Sequence, residues 1–224
     1  MDKLGALDNL RITVLAEDSV VYESPYLGQH GVSFLVEGVS GGDTKRILVD
    51  VGQNSEALLN NMQTMGIPPS TINAIVLTHC HYDHTQGIVH MLKKIGRRDI
   101  QVIAHPSIFR PHFVTQPHLR HIGIMQGDSK MKIEKAGGVL SLTKDPLVIM
   151  PGIMTTGEVK RQTEFEEAMT GLKTVENGMV VDDLMLDDIS VIANVTNKGL
   201  VVITGCSHAG IINIANQAIE LTGN

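Results

Sequence analysis

The chain has 224 residues and a formal charge of −6, from 18 Lys+Arg against 24 Asp+Glu. Hydrophobic residues make up 42% and charged residues 19%, which supplies a full core and excludes a disordered chain. No apolar run reaches the ~18 residues of a bilayer span, and no Lys/Arg block exceeds pairs such as Lys93-Lys94, so neither a membrane segment nor a nucleic-acid partner is expected. The N-terminal MDKLGALDNLRITVLAED has early acidic residues and no apolar block before a cleavage site, so the expected location is cytoplasmic. Cys80 and Cys206 lie too far apart in sequence for a disulfide framework. Aromatics are 3% with no Trp, against 11 Met, so the core must be aliphatic with Met filling gaps. Of 10 histidines, eight fall between His79 and His121.

In chain order, Arg11–Ala16 and Val32–Val36 read as strands, and Arg46–Val51 is an apolar strand holding Asp50. Ser55–Met65 has helical spacing and is stopped by Gly66 and Pro68-Pro69. Ile72–Leu77 is a buried strand, Ile88–Ile95 a helix closed by Gly96, and Ile100–Ala104 a strand. Residues 106–130, with Pro106, Pro111 and Pro117, read as a long mobile loop or cap. Strands follow at Val139–Leu142, Leu147–Met150, Ile153–Thr156, Gly178–Val181, Ile189–Val195 and Leu200–Thr204. Residues 157–170 form a polar, exposed excursion, Asn197-Lys198-Gly199 marks a hairpin, and Ala209–Leu221 is a helix. This order predicts one α/β domain over 1–224, a two-sheet sandwich with outer helices in two related halves.

The segment Thr78-His79-Cys80-His81-Tyr82-Asp83-His84 follows the strand INAIVL and crowds four potential metal ligands into six residues. Such crowding is costly without a cation. His79 and His81, two apart, point the same way in extended backbone. Asp83 and His84, being adjacent, diverge and can serve a second centre. Neutral imidazoles with a carboxylate suit zinc, or iron or manganese. Asp50 is either a strand-end cap or an acceptor that holds the histidine loop in place, and beside the cluster the second reading is favoured. Thr204-Gly205-Cys206-Ser207-His208-Ala209-Gly210 again follows an apolar strand. Read alone, Cys206 is a small hydrophobe and His208 a neighbour of a helix cap. Read with the first motif, this segment supplies a third ligand. In the cap, Phe109 and Arg110 are candidate substrate contacts, with a solvated loop charge as the other reading of Arg110. His105, His112, His118 and His121 read as surface histidines.

These elements together resemble the metallo-β-lactamase superfamily, whose hallmark is a His-x-His-x-Asp-His loop preceded by a strand ending in aspartate, here His79, His81, Asp83, His84 and Asp50. The wording THCHYDHTQG plus TGCSHAG looks like one branch, labelled after a dihydropterin–ribofuranosylaminobenzene phosphate synthase. The resemblance implies a four-layer αββα sandwich, shortened at its C-terminal side relative to that branch. It implies His79, His81 and His208 on one metal and Asp83 and His84 on a second. Cys206 or His208 would occupy the bridging place. One or two zinc ions are implied, with iron or manganese as variants. The implied chemistry is hydrolysis of a small-molecule ester, phosphodiester or lactone by a metal-bound hydroxide that Asp83 helps orient. An iron-dependent oxidoreductase on the same scaffold is one alternative. An inactive metal-binding remnant is the other, since the branch's final histidine, in a His-Cys-Thr-Gly context, has no counterpart after His208. A sheet cut short leaves an unpaired edge, so a homo-oligomer is expected.

Overall fold

The computed structural model describes residues 4–166 and 170–223. Three antiparallel strands, β1 (Asn9–Ala16), β2 (Ser33–Ser40) and β3 (Asp43–Val49), open the first sheet. Helix α1 (Ser55–Thr64) follows, and Asn54 caps it by accepting from the backbone N–H groups of Glu56 and Ala57. Strands β4 (Ala74–Val76), β5 (Ile100–Ala104) and β8 (Gly138–Leu142) then add in parallel, giving the order β1-β2-β3-β4-β5-β8. Between them run α2 (Tyr82–Thr85), α3 (Ile88–Ile95) and α4 (Lys130–Lys135). The second sheet has the order β14-β13-β10-β9, from β9 (Val148–Met150), β10 (Ile153–Thr155), β13 (Val191–Val195) and β14 (Gly199–Ile203), with α5 (Ile211–Thr222) after it.

The alternation of side chains along each strand builds the layers. In β3, Leu48 faces a cluster containing Leu58 and Met62 of α1 and Met91 and Leu92 of α3, while Ile47 and Val49 face the other sheet. In β13, Val191 and Ala193 meet Ile47 and Val49 between the sheets, while Ile192 turns outward to Ala218 of α5. The result is a mixed α/β, four-layer αββα sandwich.

The structure departs from the sequence reading chiefly at residues 106–130. They hold two short 3₁₀ turns, β6 (His112–Val114) and β7 (Arg120–His121) instead of a mobile loop. These strands join β11 (Leu172–Glu176) and β12 (Met179–Asp182) in a third sheet of order β12-β11-β6-β7. The pairing Thr174↔His112 spans 62 positions, so no local pattern announces it. Strand β11 and helix α4 have no counterpart in the sequence reading. The 157–170 excursion is described to Glu166 and from Thr170, with residues 167–169 outside the described residues. It is only partly exposed: Val159 is buried and the Glu166 carboxylate accepts from the backbone N–H groups of Ile212 and Asn213 at the start of α5.

Candidate metal centre

Three chain segments meet at the ends of strands β3, β4 and β14. Residues 78–84 leave β4, and from Tyr82 they wind into α2. Asp83 and His84 therefore sit on one helical turn and do not diverge: Asp83 Oδ2 is 3.4 Å from His84 Nε2. Residues 204–210 leave β14 and bring Cys206 and His208 over them. The close approach depends on Gly205, because a Cβ there would collide with Thr78 Oγ1 and press on Asp50 Oδ2. On the other side Gly31 lies against the Asp83 carbonyl, where a Cβ has no room.

Asp50 follows the last residue of β3 at φ 57, a backbone conformation that costs energy for a residue with a side chain. The cost is offset by what its fully buried carboxylate accepts. Oδ1 takes the Thr78 backbone N–H at 2.7 Å, and Oδ2 takes both the Thr78 hydroxyl and His84 Nδ1 at 2.7 Å. Having donated its hydrogen, the Thr78 oxygen accepts from His79 Nδ1 at 3.0 Å. Hydrogen positions assigned from this network place a proton on Nδ1 of both histidines and turn each Nε2 to the inner side.

The inner side is crowded with acceptors. His79 Nε2 lies 3.1 Å from His81 Nδ1, and His84 Nε2 lies 3.1 Å from Cys206 Sγ. The rings of His79 and His81 are each 4.8 Å from the His208 ring, centroid to centroid. Among the described residues, His208 Nε2 is buried without a hydrogen-bond partner. Two sets of donor atoms converge closely enough for an ion: His79, His81 and His208, and His79, His84 and Cys206. Burial, with His84 and other neighbours adding to it, pushes the His208 imidazole down to about 4. Burial and the surrounding imidazoles push His81 down to about 2. His79 is lowered by the same causes. These rings are therefore neutral at pH 7, with lone pairs facing one another and an orphaned nitrogen beside them. That is the environment a cation relieves, and the imidazole and thiol donors fit a borderline metal such as zinc. His84 is different. Burial works to lower it, but the Asp50 charge and hydrogen bond outweigh that and hold it well above its ordinary value.

The sequence-named residues divide as follows. His79, His81, His84, Cys206 and His208 meet at the centre, with Asp50 behind them. Asp83 stands at the edge, beside His84 and 3.4 Å from the exposed His30. Phe109 is half-buried against the helix-side core. Arg110 is not a solvated loop charge: its guanidinium grips both oxygens of Asp183 at 2.6 and 2.8 Å and reaches Asp187 at 2.8 Å. His118 and His121 are exposed as expected, but His105 and His112 are buried. His112, missed from sequence, touches His81 directly, Nε2 to Nε2 at 2.9 Å, and bonds Asp183 through Nδ1. A depression of about 530 Å³ lined by Phe165, Glu166, Cys206, Ser207 and His208 opens beside the centre.

The family model described as the metallo-beta-lactamase superfamily matches residues 27–122. A curated protein of Methanocaldococcus jannaschii, named 7,8-dihydropterin-6-methyl-4-(beta-D-ribofuranosyl)-aminobenzene-5'-phosphate synthase, is 43% identical over 223 residues, covering 98% of this chain and 75% of the relative. An uncharacterised protein of the same organism is 35% identical over 208 residues, covering 92% of this chain and 73% of the relative. Among solved structures, a metal-dependent hydrolase of the beta-lactamase superfamily superposes with a TM-score of 0.73 at 25% identity, covering 95% of this chain and 72% of that one.

Proposed function

The chain belongs to the metallo-β-lactamase superfamily, and we propose that it is a metal-dependent enzyme acting on a small molecule at the histidine centre. His79, His81 and His208 would hold one ion, and His84 and Cys206, with Asp83 at the edge, would form a second position. Zinc suits this donor set, with iron or manganese as variants. The observation that carries the reading is the 3.1 Å approach of His79 Nε2 and His81 Nδ1 next to the buried, unpartnered Nε2 of His208.

A bound ion supplies a Lewis acid that polarises a carbonyl or phosphoryl oxygen and lowers the pKa of water. The chain's own residues do the rest. Asp50 holds His84 directly and His79 through Thr78, so the ligand atoms are set before substrate arrives. Asp83 orients the attacking group's proton. Substrate enters through the depression beside Cys206 and His208, where exposed Phe165 offers a flat apolar contact.

The reaction we propose is displacement by water at an ester, phosphodiester or lactone. A second reading, a joining reaction like that in the name of the Methanocaldococcus relative, is favoured by the 43% identity over nearly the whole chain. In that case a nucleophile on a second substrate takes the place of water, its bond to the first substrate forms as the bond to that substrate's leaving group breaks, and the leaving group departs to solvent.

Metal analysis of protein purified without added metal, with turnover of a generic phosphodiester, tests the first reading. Bound zinc, hydrolysis, and at least a ~100-fold loss in His79→Ala are expected. Bound metal without hydrolysis, but with a joined product from a dihydropterin carrying a leaving group on its 6-methyl carbon and a phosphorylated aminobenzene riboside, selects the second. No bound metal, with unchanged properties in His79→Ala and His81→Ala, overturns both.

A further inference from the structure

The third sheet carries a connection to the centre that the superfamily motif does not contain. Asp183, just after β12, is anchored by the Arg110 guanidinium and by the Met185 backbone N–H at 2.8 Å. Its Oδ2 faces His112 Nδ1 at 2.7 Å, and His112, the first residue of β6, is fully buried. The far nitrogen of the same ring meets His81 Nε2 at 2.9 Å. A carboxylate gripped by a guanidinium is ionised and can only accept, so the proton between Asp183 and His112 lies on His112 Nδ1. In the neutral imidazole His112 Nε2 is then an acceptor, and its contact with His81 requires the His81 proton on Nε2. That leaves the His81 lone pair on Nδ1, the atom that faces His79 Nε2.

We propose that Asp183 and His112 are positioning residues that fix His81 as a ligand through Nδ1. The proposal rests on the reading of His81 as a metal ligand. Without this tether the His81 ring would be free to carry its proton on either nitrogen. The Nδ1–H tautomer would place a hydrogen where the ion belongs.

Two measurements on the full chain test it. The first is zinc affinity, by competition with a chromophoric chelator, together with the visible absorption of the cobalt(II)-loaded protein. His112→Phe fills the space without an acceptor, and a ~10–100-fold weaker zinc affinity and an altered cobalt spectrum are expected. His112→Gln can accept from His81 with its amide oxygen and donate to Asp183 with its amide nitrogen, so recovery to near wild-type affinity is expected. A purely structural role would not separate the two variants in this way. Wild-type affinity and spectrum in His112→Phe overturn the proposal. The second measurement is a two-bond ¹H–¹⁵N correlation on wild-type protein with ¹⁵N-histidine, which reads the tautomer of His81. A proton on Nε2 is expected and a proton on Nδ1 overturns the proposal, even if the variants fail to fold. Absence of any zinc or cobalt binding by the wild type would sink the metal reading alone. The tautomer in the metal-free protein would still decide the tether.

Discussion

Two carboxylates set the histidines of this centre, from opposite sides and by different routes. Asp50 lies within 34 residues of everything it holds. It reaches His84 directly and His79 through the Thr78 hydroxyl, and it leaves Nε2 of both as the inner atom. Asp183 lies about 100 residues from its target and works through His112, on a sheet assembled from distant segments, leaving Nδ1 of His81 inside. The difference teaches that a ligand atom is chosen by the acceptor behind the ring. Three imidazoles in one short motif can present different nitrogens because different acceptors stand behind them. The two carboxylates also differ in what faces them: Asp50 pairs with the imidazole of His84, whereas Asp183 has the permanent charge of Arg110.

The largest effect is expected on the Asp50 side. Asp50→Ala unties two ligands at once, so zinc affinity should fall by more than ~100-fold, beyond the loss in His112→Phe. A loss smaller than that of His112→Phe, by the same chelator competition, would reverse the ranking of the two tethers. On the other side, Arg110→Met leaves Asp183 and Asp187 buried without their cation. A stability loss of about 3 kcal/mol is expected from denaturant midpoints. A loss under ~1 kcal/mol would mean that the third sheet does not depend on this ion pair. Gly205→Ala pushes a methyl group into Thr78 and Asp50, and a loss of ~1–2 kcal/mol with weakened zinc binding is expected, measured by thermal unfolding with and without zinc.

The smallest effect is in pH dependence, where the two sides oppose each other. His208 and His81 have folded-state values depressed below the ordinary 6.5, to about 4 and about 2. The unfolded chain then binds more protons than the folded one, so their contribution is present above pH 6.5 and is lost as pH falls below it. His84, held above 6.5 by Asp50 against the effect of burial, acts in reverse: its contribution is full below pH 6.5 and is lost as pH rises through its folded value. Metal-free protein should therefore show a Tm that falls on acidification from pH 6.5 to 4, a fall that His208→Gln makes shallower. An unchanged slope in His208→Gln would show that these rings do not carry the acid sensitivity.

The half of the site held by Asp50 was legible because it is local. The strand RILVD ends on its carboxylate and the cluster THCHYDH follows the next apolar strand, whose parallel pairing brings the two ends together, while TGCSHAG follows an apolar strand of the other sheet. The Asp183 half carried the same grammar, an apolar strand closing on a carboxylate in MVVDD, but nothing near it pointed to a histidine 71 residues earlier. Pro106, Pro111 and Pro117 suggested a loop, and the partner that makes 112–114 a strand lies beyond the reach of any local pattern. Arg110 was misplaced for the same reason: its charge looks solvated until Asp183 and Asp187 are folded against it.

Runs of consecutive residues carry the aliphatic layers, the family resemblance and five of the imidazole and thiol groups at the centre, because period-two strands and short motifs are local patterns. Only the tertiary structure decided that 106–130 joins a third sheet, that Asp83 and His84 share one helical turn, and that His112 stands behind His81. Those are contacts between segments far apart in the chain. The balance of burial, charge and hydrogen bonding that sets each ring's proton exists only once the segments have met.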